Sequence, residues 1–582
     1  MYSARPKPKL RLWLAAAAAA LLAAISLTAC GGSSSSSSSG STSAGEPAEE
    51  AGGATTGATA LASTKSDPDA TMIVDVATPN ATLDPSFTFA NTEVGIDGAL
   101  YSELTQPAYK ASPIEGATEQ ELSVTAVKPY VAKSWKFSDG NKTLTFKLKP
   151  GLKFPSGDPL DSEAVKWSLE RTQKSESGGY SVLEENQFEP ALIKSIEAPD
   201  PTTLVIKYSH PAPNQPEVLS TPTAGAIYDP KLVEENGGQK AGTPNEYLAS
   251  HSAGAGPYLL KSYKPNHEIV LEANPEAIEP PQTKNVIVRF VPDNETLLLD
   301  AQSGQADVTI GLSPQAANSL EGNDCCTVGA FSSRMAQTLN FPIGELEPFK
   351  SEENPEFNNV KFRQALVTAF PYEGVLEKVA YGYGKLYNGE WMPAFSWYDP
   401  TIGAPIETNV EKAKELIEES GVKTPVEFTI YVSQGGNLEK EIATVAAGAW
   451  EEIGVKAKVQ TTSSANFLEI VYESHKGPTV FLDGPQVIAP DYYWGYDMQC
   501  PPNNGYNDTN VCVQKSDAAM KKIPYTTKEP QRQELLDEAD EGWIAAAPRI
   551  WVFNQETIAV LGKEMSAYAS SDLPEIRLWS KG

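Results

Sequence analysis

Apolar and polar positions alternate in short runs through the first half of the chain. Leu144, Phe146 and Leu148 are separated by Thr145 and Lys147, and Leu204, Ile206 and Tyr208 by Val205 and Lys207. A repeat of two puts one set of side chains on each face of an extended backbone, so these runs predict half-buried strands. From Val426 onward the period changes. Val426, Phe428, Ile430 and Val432 alternate; Ile442, Val445, Ala446, Ala449, Trp450 and Ile453 then recur at helical spacing; Val455, Ala457 and Val459 alternate again. With Asn437 as N-cap and Gly454 as stop, the stretch reads strand, helix, strand, the pattern of a parallel crossover. A second helix is expected over 411–420, with Ala413, Leu416 and Ile417 on its apolar face and Gly421 closing it. These elements predict a mixed α/β protein, and no internal repeat is visible in its globular part.

The first 29 residues follow neither pattern. Arg5, Lys7, Lys9 and Arg11 precede a nearly unbroken apolar run from Leu12 to Leu27. At about 16 residues it is shorter than the roughly 20 needed to span a bilayer. A charged start, a short apolar stretch and small residues at its end predict a secretory signal peptide over 1–29. Leu27-Thr28-Ala29-Cys30 resembles the bacterial lipobox, so Cys30 is expected to carry lipid as the first residue of the mature chain. The stretch 31–69 that follows is rich in Ser, Gly, Thr and Ala and contains no aromatic residue. It cannot bury enough apolar surface to fold, and 30–69 is read as the lipidated cysteine and a disordered linker. As a flexible coil it spans about 30 to 40 Å, a tether between a lipid anchor and a globular body.

Composition narrows the function of that body. The chain has 582 residues, which allows about four domain-sized units or fewer large ones. Hydrophobic residues at 40% and charged residues at 21% fit a soluble, globular protein. The formal charge is -29, and loss of the four positive residues of the signal takes it to about -33. Such acidity repels phosphate backbones, so nucleic acid is not an expected partner. The four histidines, His210, His251, His267 and His475, are far apart, and no H-E-x-x-H, G-x-S-x-G or G-x-x-x-x-G-K-[ST] motif occurs. No metal, cofactor or catalytic residue is expected.

Cys325, Cys326, Cys500 and Cys512 are an even number in an exported chain, where disulfides persist. Cys500 and Cys512 bracket a Pro-, Asn- and Gly-rich loop that lacks a core of its own, and they are the expected pair. Closing that loop is worth about 3 kcal/mol in the chain-entropy account. Cys325 and Cys326 are then either bonded to each other or free, and cross-pairing stays open.

Residues 131–171, VAKSWKFSDGNKTLTFKLKPGLKFPSGDPLDSEAVKWSLER, hold a hairpin ending at Lys149-Pro150-Gly151, a turn at Ser156-Gly157-Asp158 and a helix opening near Asp161. The stretch resembles the family 5 extracellular solute-binding proteins, receptors of peptide-type ABC importers. Further matches follow in the family's order: TLDPSFT at 82–88, GAGPYLLKSYKP at 254–265, LDAQSGQADVTI at 299–310, FNNVKFRQAL at 357–366 and MPAFSWYDP at 392–400. Most of these read as architecture. Gly256-Pro257-Tyr258 is a turn entering a strand, Gly304 a position of unusual φ, Trp135 and Trp167 core aromatics, and Arg363 a structural residue. The resemblance implies the hinged, two-lobe periplasmic-binding-protein fold of class C or type II-like architecture, with an extra N-terminal subdomain. Lobe I would comprise 70–325 and 546–582, and lobe II 326–545. The ligand would lie in the interlobe cleft, and closure would be a hinge motion.

The resemblance also implies a lipid-anchored monomer, at the cell surface or in the periplasm, that delivers peptides or peptide-like solutes to membrane permease subunits. In peptide-binding members the ligand's amino group meets an aspartate in a G-W-x-x-D-x-x-D-P segment. Here FLDGPQVIAPDYYW, at 481–494, corresponds, and alignment on Pro490-Asp491-Tyr492-Tyr493 places the amine position on Gln486. A neutral amide accepts from an ammonium without charge assistance, which roughly halves the bond. Either Asp483 or Asp491 takes over, or the ligand is not an ordinary free-amine peptide; a nickel chelate, a sugar or a modified amino acid are the alternatives. Trp391, Trp397, Tyr398 and Trp494 lie among Pro, Gly and Asp and suit either ligand stacking or loop packing. Phe87 and Phe89 follow Leu83-Asp84-Pro85 in the family's cleft-edge loop. Arg334 could meet a ligand carboxylate or form an ordinary surface pair. Two other classes compete: a secreted hydrolase using scattered carboxylates, and a sensor or adhesin whose cleft docks a protein.

Overall fold

The computed structural model describes residues 60–582 apart from 64, 79–81, 89, 186–190, 345–353, 403–406, 485–488, 494–497, 501–507, 527 and 571–573, with backbone only at 491 and 493. Its frame is one sheet of 11 strands. Along it run Tyr258–Lys264, Glu268–Ala273, Asn285–Phe290, Thr71–Val76, Val308–Ile310, Arg549–Gly562, Cys326–Asn340, Thr479–Asp483, Val426–Ser433 and Val455–Thr462, and Gly384–Lys385 pairs with Arg549–Gly562 off this path.

Two long strands let one sheet serve two cores. Cys326–Asn340 and Arg549–Gly562 pair antiparallel from Cys326 opposite Gly562 to Asn340 opposite Arg549, and their register shifts between Phe331 and Met335. Before the shift Phe331 is buried with Val74, Leu100, Val288, Ala559 and Leu561. After it Ala336 and Leu339 are buried with Phe362, Phe428, Trp450 and Ile550. Each strand therefore leaves one hydrophobic core and enters the other. Asn554 ties the crossing: its Nδ2 donates to the carbonyls of Ser333 and Met335 at 2.9 and 2.8 Å.

A third core belongs to a four-stranded sheet, Ala132–Ser138, Thr143–Leu148, Thr203–Tyr208 and Ile193–Asp200 in that order, covered by the helix Ser162–Gln173. Leu144, Phe146, Val165, Leu169, Leu204 and Ile206 fill it. The alternating runs thus form the strands expected of them. Asp161 caps the covering helix by accepting from the N–H groups of Glu163 and Ala164, which satisfies donors that a helix start leaves open.

The expected crossover is present as Val426–Ser433, Asn437–Glu451 and Val455–Thr462, with the two strands parallel and in register from Val426 opposite Val455 to Ser433 opposite Thr462. Its helix start differs by one residue. The N–H of Gly436 bonds the Ser433 carbonyl and that of Asn437 bonds Gly435, so two glycines make the turn, Gly436 is the cap and Asn437 is the first helical residue. The helix Val410–Ser420 buries Ala413, Leu416 and Ile417 and ends on Gly421 at φ 68°. Gly304, at φ 71°, closes Asn294–Ser303 in the same way. Gly256 answers a different need: a Cβ there would run into the backbone of Leu100 and Tyr101. Trp135 and Trp167 are half-buried at the rims of their cores rather than inside them. Arg363 donates to the carbonyls of Phe357, Ala546 and Ala547, a structural role. Among the described residues no helix is long and apolar enough to cross a membrane.

Candidate functional site

A polar pocket opens where the strand Cys326–Asn340 changes register. Arg334, inside the shifted stretch, lines it with Glu103, Gln106, Gln120, Glu217, Glu575 and Arg577, and the helix Asn91–Leu100 supplies a wall through Val94, Gly95 and Gly98. The enclosed space of the pocket is about 30 Å³, room for about two water molecules or a polar group of that size. Its charged side chains are buried: Glu103 is 5% exposed, Glu217 2%, Arg334 3% and Arg577 9%.

Buried charges of both signs must be paired or they cost several kcal/mol. Arg577 donates to Gln106 Oε1 and, at 3.2 Å, to Glu575 Oε2, and its guanidinium lies 5.4 Å from the Tyr130 ring centre. Gln106 in turn donates to Glu279 at 3.0 Å. Glu103 is less well served. Its Oε1 is buried with no hydrogen-bond partner among the described residues. Burial pushes its carboxyl well above the ordinary range against the pull of Arg577, and Glu575 and Asp97 push the same way.

A second charged group lies on the other side of the register shift. The strand Thr479–Asp483 pairs with Cys326–Asn340, Asp483 opposite Ala336, and ends there. Asp483 accepts from Arg549 Nη1 at 3.0 Å and from its neighbour Gly484 N at 2.9 Å. Arg549 also donates to Asp508 at 2.7 Å and stands 3.7 Å from Glu390. Glu390 Oε2 accepts from the indoles of Trp543 and Trp551 at 2.9 and 3.3 Å. Three buried carboxylates thus share one guanidinium. Burial raises Asp483 and Asp508, the latter to about 7, against the attraction of Arg549.

The chain around Asp483 touches two cores. A Cβ on Gly484 would meet the Arg334 carbonyl and the Met335 sulfur. Further on, Ala489 and Tyr492 are buried in the third core, among Leu104, Val131 and Val218. A second contact runs the other way: Leu122 is buried in the core of Phe362 and Trp450, and its carbonyl accepts from Ser396 N at 3.2 Å.

The sequence-predicted residues distribute as follows. Arg334 is in the pocket wall, buried and so not a surface pair. Asp483 is engaged by Arg549. Trp391, 1% exposed, donates its indole N–H to the Leu536 carbonyl at 3.0 Å, and Trp397 stacks on Phe395 at 4.7 Å, both within the second core. The indole nitrogen of Trp397 is buried without a hydrogen-bond partner among the described residues. Tyr398 is half-buried at the edge of that core. Phe87 ends the short helix Pro85–Phe87 and is half-buried. Asp491 lies in the short helix Pro490–Tyr493. Cys30, Phe89, Gln486 and Trp494 lie outside the described residues. Cys500 and Cys512 have their sulfurs at 2.01 Å, and Cys325 and Cys326 are free and half-buried.

Sequence reasoning missed Glu103, Gln106, Glu217 and Arg577. Arg577 and Gln106 are 471 positions apart, and no local pattern marks either one. The single available signal for Glu103 was a charge immediately before the apolar Leu104.

Comparison with known proteins gives a consistent result. The sequence model described as bacterial extracellular solute-binding proteins, family 5 Middle, matches residues 126–507. The probable D,D-dipeptide-binding periplasmic protein DdpA of Escherichia coli (strain K12) is 25% identical over 514 residues, 87% of this chain and 92% of its own. Among solved structures, the ABC transporter-associated periplasmic binding protein DppA from Helicobacter pylori in complex with peptide STSA superposes with a TM-score of 0.73 at 18% identity, covering 88% of this chain and 98% of its own. NikZ from Campylobacter jejuni in complex with Ni(L-His) gives 0.72 at 19% identity, covering 88% and 99%. The two-lobe α/β fold is theirs as well, and the chain belongs to the family 5 bacterial extracellular solute-binding proteins.

Proposed function

We propose that this chain is a lipid-anchored, extracytoplasmic receptor of an ABC importer, which captures a peptide or peptide-like solute between its lobes and delivers it unchanged to membrane permease subunits. The observation that carries this reading is the buried two-sign pocket beside the register shift of the crossing strands. Its charged groups are desolvated before a solute arrives, and Arg334 brings the register shift of the crossing strands into its wall. Relatives named for D,D-dipeptides and for a bound peptide support the ligand class.

The lobes follow the expected 70–325 with 546–582, and 326–545, except within the crossing strands, where we take the boundary to fall at the register shift, because Phe331 and Ala559 belong to the first core and Ala336 and Ile550 to the second. The lipobox at Cys30, the signal over 1–29 and the tether over 30–69 support anchoring at the membrane face. A bond between Cys500 and Cys512 would close the loop behind Asp508. A small chelate is the second reading, favoured by the neighbour that holds Ni(L-His).

Thermal-shift titration against short peptides, nickel–histidine and sugar-conjugated amino acids tests the proposal. A true ligand at 100 times its dissociation constant adds about 2.7 kcal/mol to stability. Stabilisation by short peptides supports the first reading, and stabilisation by the chelate alone supports the second. Chemical conversion of a solute during the titration contradicts both.

A further inference from the structure

We propose that Glu103 is the contact for a primary ammonium of the bound solute, an assignment that rests on the receptor reading above and moves amine recognition from the cleft loop to the first lobe. Glu103 stands between the helix Asn91–Leu100 and the strand Thr105–Pro107, 5% exposed, in the pocket wall. Its Oε1 has no hydrogen-bond partner among the described residues. A buried polar oxygen left in that state costs on the order of 1–3 kcal/mol, and an arriving donor recovers the loss.

Arg577 does not fill this need, because its guanidinium is held by Gln106, Glu575 and the face of Tyr130. An ammonium brings three donors to a carboxylate, and the bond is charge-assisted. The assignment therefore selects a solute with a free amine. This removes the difficulty posed by Gln486, since the amine no longer needs a carboxylate at that position.

The assignment has a proton signature. Glu103 faces Asp97 from the helix Asn91–Leu100, Tyr130 from the segment before Ala132–Ser138, and Glu575 and Arg577 from the C-terminal turn, with Glu217 and Arg334 across the pocket. In the unliganded protein, burial keeps its proton on to a higher pH than an ordinary carboxyl. An ammonium must displace that proton. Binding then releases it, and affinity rises with pH until the free carboxyl is itself ionised.

Isothermal titration calorimetry of the full-length wild type, E103Q and E103D with alanine di-, tri- and tetrapeptides of both configurations, each as free amine and as N-acetyl derivative, decides the matter. The expected result is binding of a free-amine form at least about tenfold tighter than its N-acetyl form. E103Q should lose about tenfold or more for the free amine and nothing for the acetylated form, and E103D should recover part of the loss. Proton release, read from two buffers of different ionisation heat at about pH 6, should be present in the wild type and absent in E103Q. Equal affinity for both forms, or wild-type affinity in E103Q, overturns the Glu103 assignment and leaves the receptor reading intact. If neither form of any peptide binds, the peptide reading itself fails and takes the assignment with it. Should E103Q not fold, the acetyl comparison and the proton release of the wild type still decide.

Discussion

Asp84 and Arg171 illustrate what single residues contribute. They are 87 positions apart and form a two-pronged pair at 3.0 and 2.7 Å, with both side chains buried and Arg171 4.4 Å from the Tyr228 ring centre. Leu83-Asp84-Pro85 reads in sequence as a turn, and the partner of its carboxylate is invisible there because it lies on the distant helix Ser162–Gln173. Removing one member of such a pair strands the other in low dielectric. D84A should therefore cost about 3–5 kcal/mol in urea denaturation, and a loss below about 1 kcal/mol would contradict the account. Asp508 acts through pH. Its folded-state value of about 7 lies above the ordinary 3.8, so the folded protein keeps a proton that the unfolded chain has released. Stability from this group falls as pH rises from about 4 to about 7 and is not regained above it. D508N keeps an acceptor for Arg549 and should flatten the slope of melting temperature between about pH 4.5 and 8, whereas an unchanged slope would show that the carboxyl does not carry it.

At the scale of elements, legibility followed the range of the forces involved. The helix Val410–Ser420 and the crossover from Val426 to Thr462 are amphipathic or alternating within themselves, so their sequences announce them. Cys326–Asn340 is different. It is buried on both faces for most of its length and carries Ser332, Ser333 and Arg334 at the bend, so no period survives. Its partner lies far along the chain: Asn554 reaches the Met335 carbonyl across 219 positions. The pocket was illegible for the same reason, since its wall is assembled from five separate segments. Gly484 joins the strand Thr479–Asp483 to the cleft loop against the backbone of Arg334. G484A should displace that loop and weaken ligand binding by about tenfold or more in calorimetry while the cores stay folded; unaltered affinity would detach the loop from the site. Cys500 and Cys512, 12 positions apart, close a loop whose constraint is worth about 3 kcal/mol. The C500S/C512S variant should unfold at lower urea by that amount, and no change would mean that the thiols are not bonded in the protein as made.

The whole molecule turns on two cores sharing one sheet. The alternating and helical runs and the motifs in order together made the two-lobe fold and the solute-binding family readable from sequence. What could not be read was the polar pocket, because Glu103, Arg334, Glu217 and Arg577 converge only after the fold has brought their segments together. On the proposed function the solute is held by burial and charge and returned unaltered. Native mass spectrometry of the protein purified without denaturation tests that most directly. The account predicts a one-to-one complex with a small amine-bearing solute, released on unfolding with its mass unchanged and rebinding when returned. A released species that is a cleavage product of the added solute, or a protein that neither retains nor rebinds any small amine-bearing solute, would contradict it.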